Sequence, residues 1–469
     1  MTKDFASDAL RDALNRRIPD WARALLFALA TAVFGVFAYH ARYAKLDEFG
    51  SFQMGKILMI TALVFTALYA VLLAVQMHMA RKMPLSVQLL LCVITGAILL
   101  GKISLLDYVS DDYSIFLSDW IYSYTQMGIK EGLGTYIGSD YTPPYLYLML
   151  LISRIEGYPW QYLVKALSML WEGLMAYAVV KLAGLKVKGT GARLLIFNMA
   201  LLLPTVVFNG AYWGQCDVIY ASFCLLALYL ALEKRGAWSM ALFGVALSFK
   251  LQTVFFLPVM LPLWLRKDIK LRHILMIPAA YMAMMIPALW GGKSLHHVLT
   301  CYMMQAGTYN FISVNGPSLY NFLPDLAKNK AMFYDMFAPM ALCLGFAMLI
   351  AVCGLLCVRR DHITKEGTLL ACLLVLGGVP FFLPKMHERY TFGADVLAFV
   401  MACYNPKRVL LPLLFGFASY ICYTGGLPGD SILPLKWATV CQGAAVALTA
   451  AALWKSLHEE KAESWEVKA

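Results

Sequence analysis

The chain has 469 residues, of which 61% are apolar and only 14% charged, and its mean hydropathy is +0.66. A soluble domain of ordinary composition does not reach these values, so a soluble globular enzyme is excluded and an integral membrane protein is expected. The net charge of +11 suggests nucleic acid until the cations are located; their placement, described below, gives no reason to expect a nucleic-acid partner.

The first apolar run, ALLFALATAVFGVFAY, follows a polar amphipathic start and lacks a small-residue cleavage site, so it is expected to remain as an uncleaved anchor. Comparable runs of about 14 to 22 residues recur as far as Trp454, with no polar region between them long enough for a separate soluble domain. Threading them predicts an all-α polytopic membrane protein of about 14 transmembrane helices (roughly 12–14), with both termini on one side. About 25 of the 39 Lys and Arg then fall on that side, among them Arg16 and Arg17, Arg81 and Lys82, Lys186 and Lys188, and Lys407 and Arg408. This is the positive-inside pattern: these cations set topology and need bind nothing beyond lipid headgroups. If the basic side is cytoplasmic, both termini are inside and the long loops of the other side face the outside or a lumen.

Three loops on the opposite side are long: Asp107 to Pro159, Gly291 to Met336, and the turn from Pro384 to Tyr390. In the first, PPYLYLMLLISRI is apolar but too short to span, so it is expected to lie on the membrane or re-enter it, with Pro143 and Pro144 at a helix start. Further on, AWSMALFGVALSFKLQTVFFLPVMLPLW reads as two short spans hinged near Lys250. The eleven Cys are scattered through apolar runs without paired spacing and read as packing residues. There is no internal repeat and no nucleotide-binding glycine loop.

The unusual polar residues collect at the outer ends of the predicted spans. VSDDYSIFLSDW carries Asp111, Asp112 and Asp119 among aromatic residues; GSDYTPPYLY carries Asp140, Tyr141 and Tyr145. FNGAYWGQCD supplies Asn209, Trp213, Gln215 and Asp217, FKLQ supplies Lys250 and Gln252, and PKMHERY supplies Lys385, His387, Glu388 and Arg389. Each has a plain structural use. The acids solvate a loop, Asp217 caps a helix, Lys250 and Arg389 snorkel to headgroups, and the Trp and Tyr residues anchor at the interface. Their joint occurrence argues for more, because ionisable groups near the apolar core cost on the order of 2.5–3.5 kcal/mol each at mid-membrane. Carboxylates in one outer loop and a Lys, His and Arg group in others supply both halves of a transfer reaction: a base for a nucleophile, and cations for an anionic leaving group.

At these residues the sequence resembles the GT-C superfamily of glycosyltransferases, multispan enzymes that take a sugar from a polyprenyl-phosphate carrier. DYSIFLSDW, YTPPYLYL, WGQCD, FKLQ and MHERY stand in the order seen in bacterial members, and the chain is distantly similar to dolichyl-phosphate-glucose glucosyltransferases. The likeness spans about Leu105 to Tyr404. It departs where Thr142 interrupts a DYPPL-like stretch, and where doubled Asp111 and Asp112 leave the register of the acidic residue open, although the following Tyr113 favours Asp112. The resemblance implies an inverting hexosyl transfer on the outer face of a bacterial inner (plasma) membrane to a hydroxyl of a glycolipid, polysaccharide or protein. Asp112, or else Asp111, would be the base. Arg389, Lys250, His387 and Lys385 would meet the donor phosphate. Asp140, Tyr141, Tyr145, Trp213, Gln215, Asp217, Gln252 and Glu388 would line or support the site, as would Asn315 in VNGPSLYNFLP.

On this reading residues 1–104 hold the N-terminal tail and three spans, 105–405 the catalytic membrane region, and 406–469 the last spans and a cytoplasmic tail. The expected partners are a polyprenyl-phosphate sugar, a glycan, lipid or protein acceptor, and membrane lipids. No cofactor is predicted: Asp111, Asp112, Asp140 and Asp217 are chemically able to hold a divalent ion, but their spacing imposes no coordination pattern. The rival readings are a transporter or flippase, which would place broken helices at mid-membrane in matching halves, and a polysaccharide ligase, which would move a whole glycan.

Overall fold

The structure, a computed structural model, describes residues 12–43, 51–307, 310–323, 331–427 and 431–459. Their regular structure is helical, and they contain no β-strand beyond isolated bridges of Val314 and Asn315 to His387. In chain order the helices are α1 (Asp20–Tyr43), α2 (Ser51–Met79), α3 (Leu85–Ile103), α4 (Ser118–Thr125), α5 (Ile129–Gly134), α6 (Pro143–Ile152), α7 (Trp160–Ala183) and α8 (Thr190–Leu201). Then follow α9 (Asp217–Leu232), α10 (Gly236–Phe249), α11 (Met276–Gly291), α12 (Leu295–Gly307), α13 (Ala331–Val358), α14 (Lys365–Phe382), α15 (Phe392–Tyr404), α16 (Leu410–Gly426) and α17 (Leu435–Glu459).

This is an all-α polytopic membrane protein. In lipid every backbone group must be paired within its own segment, which these uniformly apolar sequences achieve as helices. Among the described residues nine helices are long and apolar enough to cross a membrane, and α8 with Pro204–Trp213, bent by 47°, makes a tenth if the pair is one span. Pro204 has no N–H to continue α8, which accounts for the break. The fuller count from the sequence needs α9, α10, Leu251–Leu265 and α15 to cross as well. With 16 and 13 residues, α9 and α15 reach only about 24 and 20 Å, against a hydrocarbon core of about 30 Å. Both are largely buried among other helices.

The loops bearing the paired cations meet at one end of the bundle. Arg266 donates to the carbonyl of Ile363 at 2.6 Å, Arg408 lies 3.5 Å from Glu366, and Lys186 sits over the Tyr404 ring. The long loops meet at the other end. Lys293 donates to the carbonyl of Thr135, and the amides of Val314 and Gly316 both donate to the carbonyl of Met386 at 3.1 Å. Two stacks make up the interior: α9 packs between α7 and α10, and α14 packs against α13, α15 and α17. They join where α15 lies on α7.

The break expected near Lys250 is present: α10 ends at Phe249, Lys250 is extended, and 3-10 turns carry the chain onward. A helix end leaves carbonyls without intrahelical partners. Here the long loops supply donors, since the Tyr302 hydroxyl bonds to the Leu247 carbonyl and the Thr142 hydroxyl to that of Ser248 at 2.6 Å. Thr142, the residue that interrupts the DYPPL-like stretch, also N-caps α6, with Pro143 and Pro144 in its first turn.

Candidate active site

A cavity of about 310 Å³ opens at the end of the bundle where the long loops meet, walled by residues from each of them, Asp112, Asp140, Gln305 and Arg389 among them, and by Lys250 at the break after α10. Local backbone geometry aims its side chains. A π-helical turn, Tyr113–Leu117, begins directly after Asp112, and a second, Val207–Trp213, precedes Gly214, whose φ of 82° turns the chain into Gln215. Such wide turns insert a residue into the helical register and are frequent at functional sites. Lys165 of α7 fixes the approach to the acidic loop by donating to the carbonyls of Leu105, Leu106 and Tyr108 at 2.9, 3.1 and 2.7 Å.

At the centre, Arg389 Nη1 donates to Asp112 Oδ2 at 2.8 Å across 277 positions of sequence. Gln215 Nε2 donates to the same oxygen at 2.5 Å. Among the described residues no hydrogen bond reaches Asp112 Oδ1, so one oxygen is held and the other is free to accept. Asp111 is exposed and does not line the cavity; Asp112 does. Arg389 also has Glu388 3.6 Å away and the Trp213 ring 5.2 Å from its guanidinium carbon. Its Nε is buried and has no acceptor among the described residues.

The other expected cations divide. Lys250 lines the cavity but is paired with buried Asp217 at 2.6 Å, and Asn209 donates to the second oxygen of Asp217 at 2.9 Å. His387 is held neutral, since burial and then the charges of Arg389 and Lys250 push its imidazole down to about 3. Lys385, at φ 64°, stands over the Tyr334 ring in an adjoining apolar groove of about 360 Å³ whose wall shares Gln252, Gln305, His387 and Tyr390 with the main cavity. Lys250 and Arg389 both stand on the main cavity's wall, each paired with a carboxylate, Asp217 and Asp112 respectively. Burial lifts Asp140 above the usual carboxylate range, with Arg389 and Lys250 opposing, and lifts Glu388 to about 7 against Arg389.

Trp213 is 5% exposed and lies behind Arg389, outside the cavity wall. The aromatic wall is made instead by Trp120, Tyr141 and Tyr145, with ring centroids 5.5 and 5.0 Å apart in succession. Asn315 is exposed and contributes backbone: at φ 57° it turns the VNGP segment against His387, with which it forms an isolated bridge. Among the described residues no group of three or more His, Cys, Asp or Glu side chains stands close enough to hold a metal ion.

A sequence model described as glycosyltransferase family 87 matches residues 140–384, just over half of the chain. The chain belongs to glycosyltransferase family 87. This is a family of the GT-C type, in agreement with the ordered motifs of the sequence. No curated protein matches the chain. Within this family 87 chain the matched segment carries Asp140, Gln215, Asp217 and Lys250, whereas Asp112 and Arg389 stand outside it, before its start and after its end. Geometry, not the family match, joins them to the cavity.

Some residues of the cavity escaped sequence reading. Trp120 was visible in the acidic loop but indistinguishable from an interface anchor. Gln305 of α12, whose buried Oε1 has no donor among the described residues, was the overlooked signal: a single amide in the apolar stretch CYMMQ. Tyr390, the last residue of MHERY, and Tyr136 also line the cavity; nothing in its spacing marks Tyr136.

Proposed function

We propose that this glycosyltransferase is inverting and moves a single hexose from a polyprenyl-phosphate carrier to an acceptor hydroxyl at the outer face of a bacterial plasma membrane. The observation that carries this reading is the Asp112–Arg389 pair at 2.8 Å on the wall of one cavity. Asp112 Oδ1 accepts the hydroxyl proton as the acceptor oxygen forms its bond to the anomeric carbon. The bond from that carbon to the phosphate oxygen breaks on the opposite face, and polyprenyl phosphate leaves as an anion. One carboxylate suffices, because the phosphate departs without a proton. Arg389 presents its remaining Nη donors to the charge that grows on the leaving oxygen, from a planar guanidinium that a lysine does not reproduce. Trp120, Tyr141 and Tyr145 offer faces on which a sugar ring stacks, and the adjoining groove near Lys385 suits the start of the lipid chain.

The test supplies purified protein with a panel of polyprenyl-phosphate sugars and membrane glycolipid acceptors, with and without a chelator, and identifies products by mass spectrometry. A single-hexose product whose anomeric configuration is opposite to that of the donor is expected. Transfer of an intact glycan, or solute movement across liposomes with no glycosidic product, would overturn the reading.

A further inference from the structure

At the basic end of the bundle lies a second polar cavity, of about 300 Å³, far from Asp112. Lys165, which holds the approach to the acidic loop, and Lys181, on this cavity's wall, are both on α7, sixteen residues or about 24 Å apart. Four cations face it, Lys181, Lys188, Arg193 and Lys365, against one carboxylate, Glu233. Some of that charge is engaged: Lys365 lies 3.5 Å from Glu233, and Arg193 donates to the carbonyls of Val187 and Gly184. Lys181 instead sits over the rings of Tyr177 and Tyr229, 5.5 and 5.3 Å from their centroids. Positive charge in excess around a polar hollow is the electrostatic condition for an anion.

The same helix face continues as something quite different. Between α2 and α7 run two apolar hollows of about 420 and 550 Å³, which share Val71 and Leu170 on their walls. Along α7 they are lined by Leu163, Leu167, Leu170, Leu174 and Tyr177, at helical spacing, and the next residue on that stripe is Lys181. Tyr177 closes the second hollow and supports the Lys181 ammonium on its ring. An apolar trough that ends in a basic pocket has the layout of a lipid: chain, then headgroup.

We infer that this face binds an anionic phospholipid, with the phosphate headgroup among Lys181, Lys188, Arg193 and Lys365 and an acyl chain laid in the trough between α2 and α7. A soluble phosphate would use the pocket alone and leave the trough without a role. Basic pockets between transmembrane helices on the positive side are suited to such headgroups, at about 1 kcal/mol per Lys or Arg near the surface. The site is remote from the cavity of Asp112, and its occupancy does not depend on which sugar, if any, is transferred there.

The test titrates purified protein in neutral detergent with phosphatidylglycerol, with phosphatidylcholine of the same chains, and with inorganic phosphate, following thermal stability and retained lipid by native mass spectrometry. Phosphatidylglycerol should raise the melting temperature and remain bound, while phosphatidylcholine and phosphate should not. Lys181→Gln with Lys188→Gln should weaken phosphatidylglycerol binding about 30-fold, and Lys188→Gln alone, at an exposed position, about fivefold should the double variant fail to fold. Equal effects of the two lipids, an effect of phosphate matching that of the lipid, or unaltered binding by a folded variant would each overturn the inference.

Discussion

At the scale of single residues, Asp112 is distinguished from Asp111 by one position of helical register, and the π-helical turn that follows sets that register. In the sequence the gathering of acids is legible and Tyr113 favours Asp112, but no sequence pattern shows where a helix will widen, so the backbone geometry that puts Asp112 on the cavity wall and leaves Asp111 outside was not legible. Asp112→Asn keeps the shape and both bonds to Oδ2 are replaceable, yet the base is gone. Transfer should fall about 10²- to 10⁴-fold in kcat, the usual contribution of a positioned base, while Asp111→Asn stays near wild type. Near-normal rates for Asp112→Asn would remove it from catalysis. The two loop residues beside Arg389 give a pH signature. Glu388, raised from 4.5 to about 7 by burial, lends stability that is full below about pH 4.5 and is lost as pH climbs through 7. His387, depressed from 6.5 to about 3, lends stability that is full above about pH 6.5 and is lost as pH falls toward 3. Melting curves between pH 4 and 8 should therefore lose their alkaline-side decline in Glu388→Gln and their acid-side decline in His387→Asn. An unchanged profile in either would contradict the assignment.

At the scale of elements, the hinge at Lys250 and the short helix after Pro143 were readable, because a charged residue inside an apolar run and a doubled proline are strong local signals. What closes the hinge was not readable, since Thr142 and Tyr302 reach the carbonyls of α10 from loops more than fifty residues away. The four short apolar segments show the same limit: hydropathy sees their composition, but only tertiary packing shows α9 and α15 enclosed by other helices. The clasp between the VNGP and MHERY segments tests how far such distant supports matter. A Cβ at Gly316 would stand 2.6 Å from the Met386 carbonyl oxygen, a backbone atom that cannot swing aside. Gly316→Ala should shift the loop that carries Arg389, lowering stability by about 1–3 kcal/mol and weakening use of the donor although residue 316 is not on the cavity wall. Thermal unfolding and donor KM measured together check this; wild-type values for both would mean the clasp has no part in placing Arg389.

At the scale of the whole molecule, composition and the alternation of basic loops were enough to predict a helical membrane protein with its polar residues at one end, because the bilayer permits few alternatives. That residues 277 positions apart would touch was an expectation the sequence alone could not measure, and the Asp112–Arg389 contact now gives it a form that kinetics can interrogate. Asp112 holds Arg389 through Oδ2, so each side chain positions the other as well as performing its own task. Groups that act as a unit give strongly non-additive losses. Asp112→Asn and Arg389→Gln combined should therefore reduce kcat/KM little beyond the worse of the two single variants, because once the base is absent the forked donor has no attack to assist. Independent groups would instead multiply their losses, as distant residues without shared partners do. A double-mutant cycle on purified protein, with folding verified by thermal unfolding of all four forms, separates the two cases. Multiplicative losses would mean that acid and cation serve separate events and that the fold brings them together for stability alone.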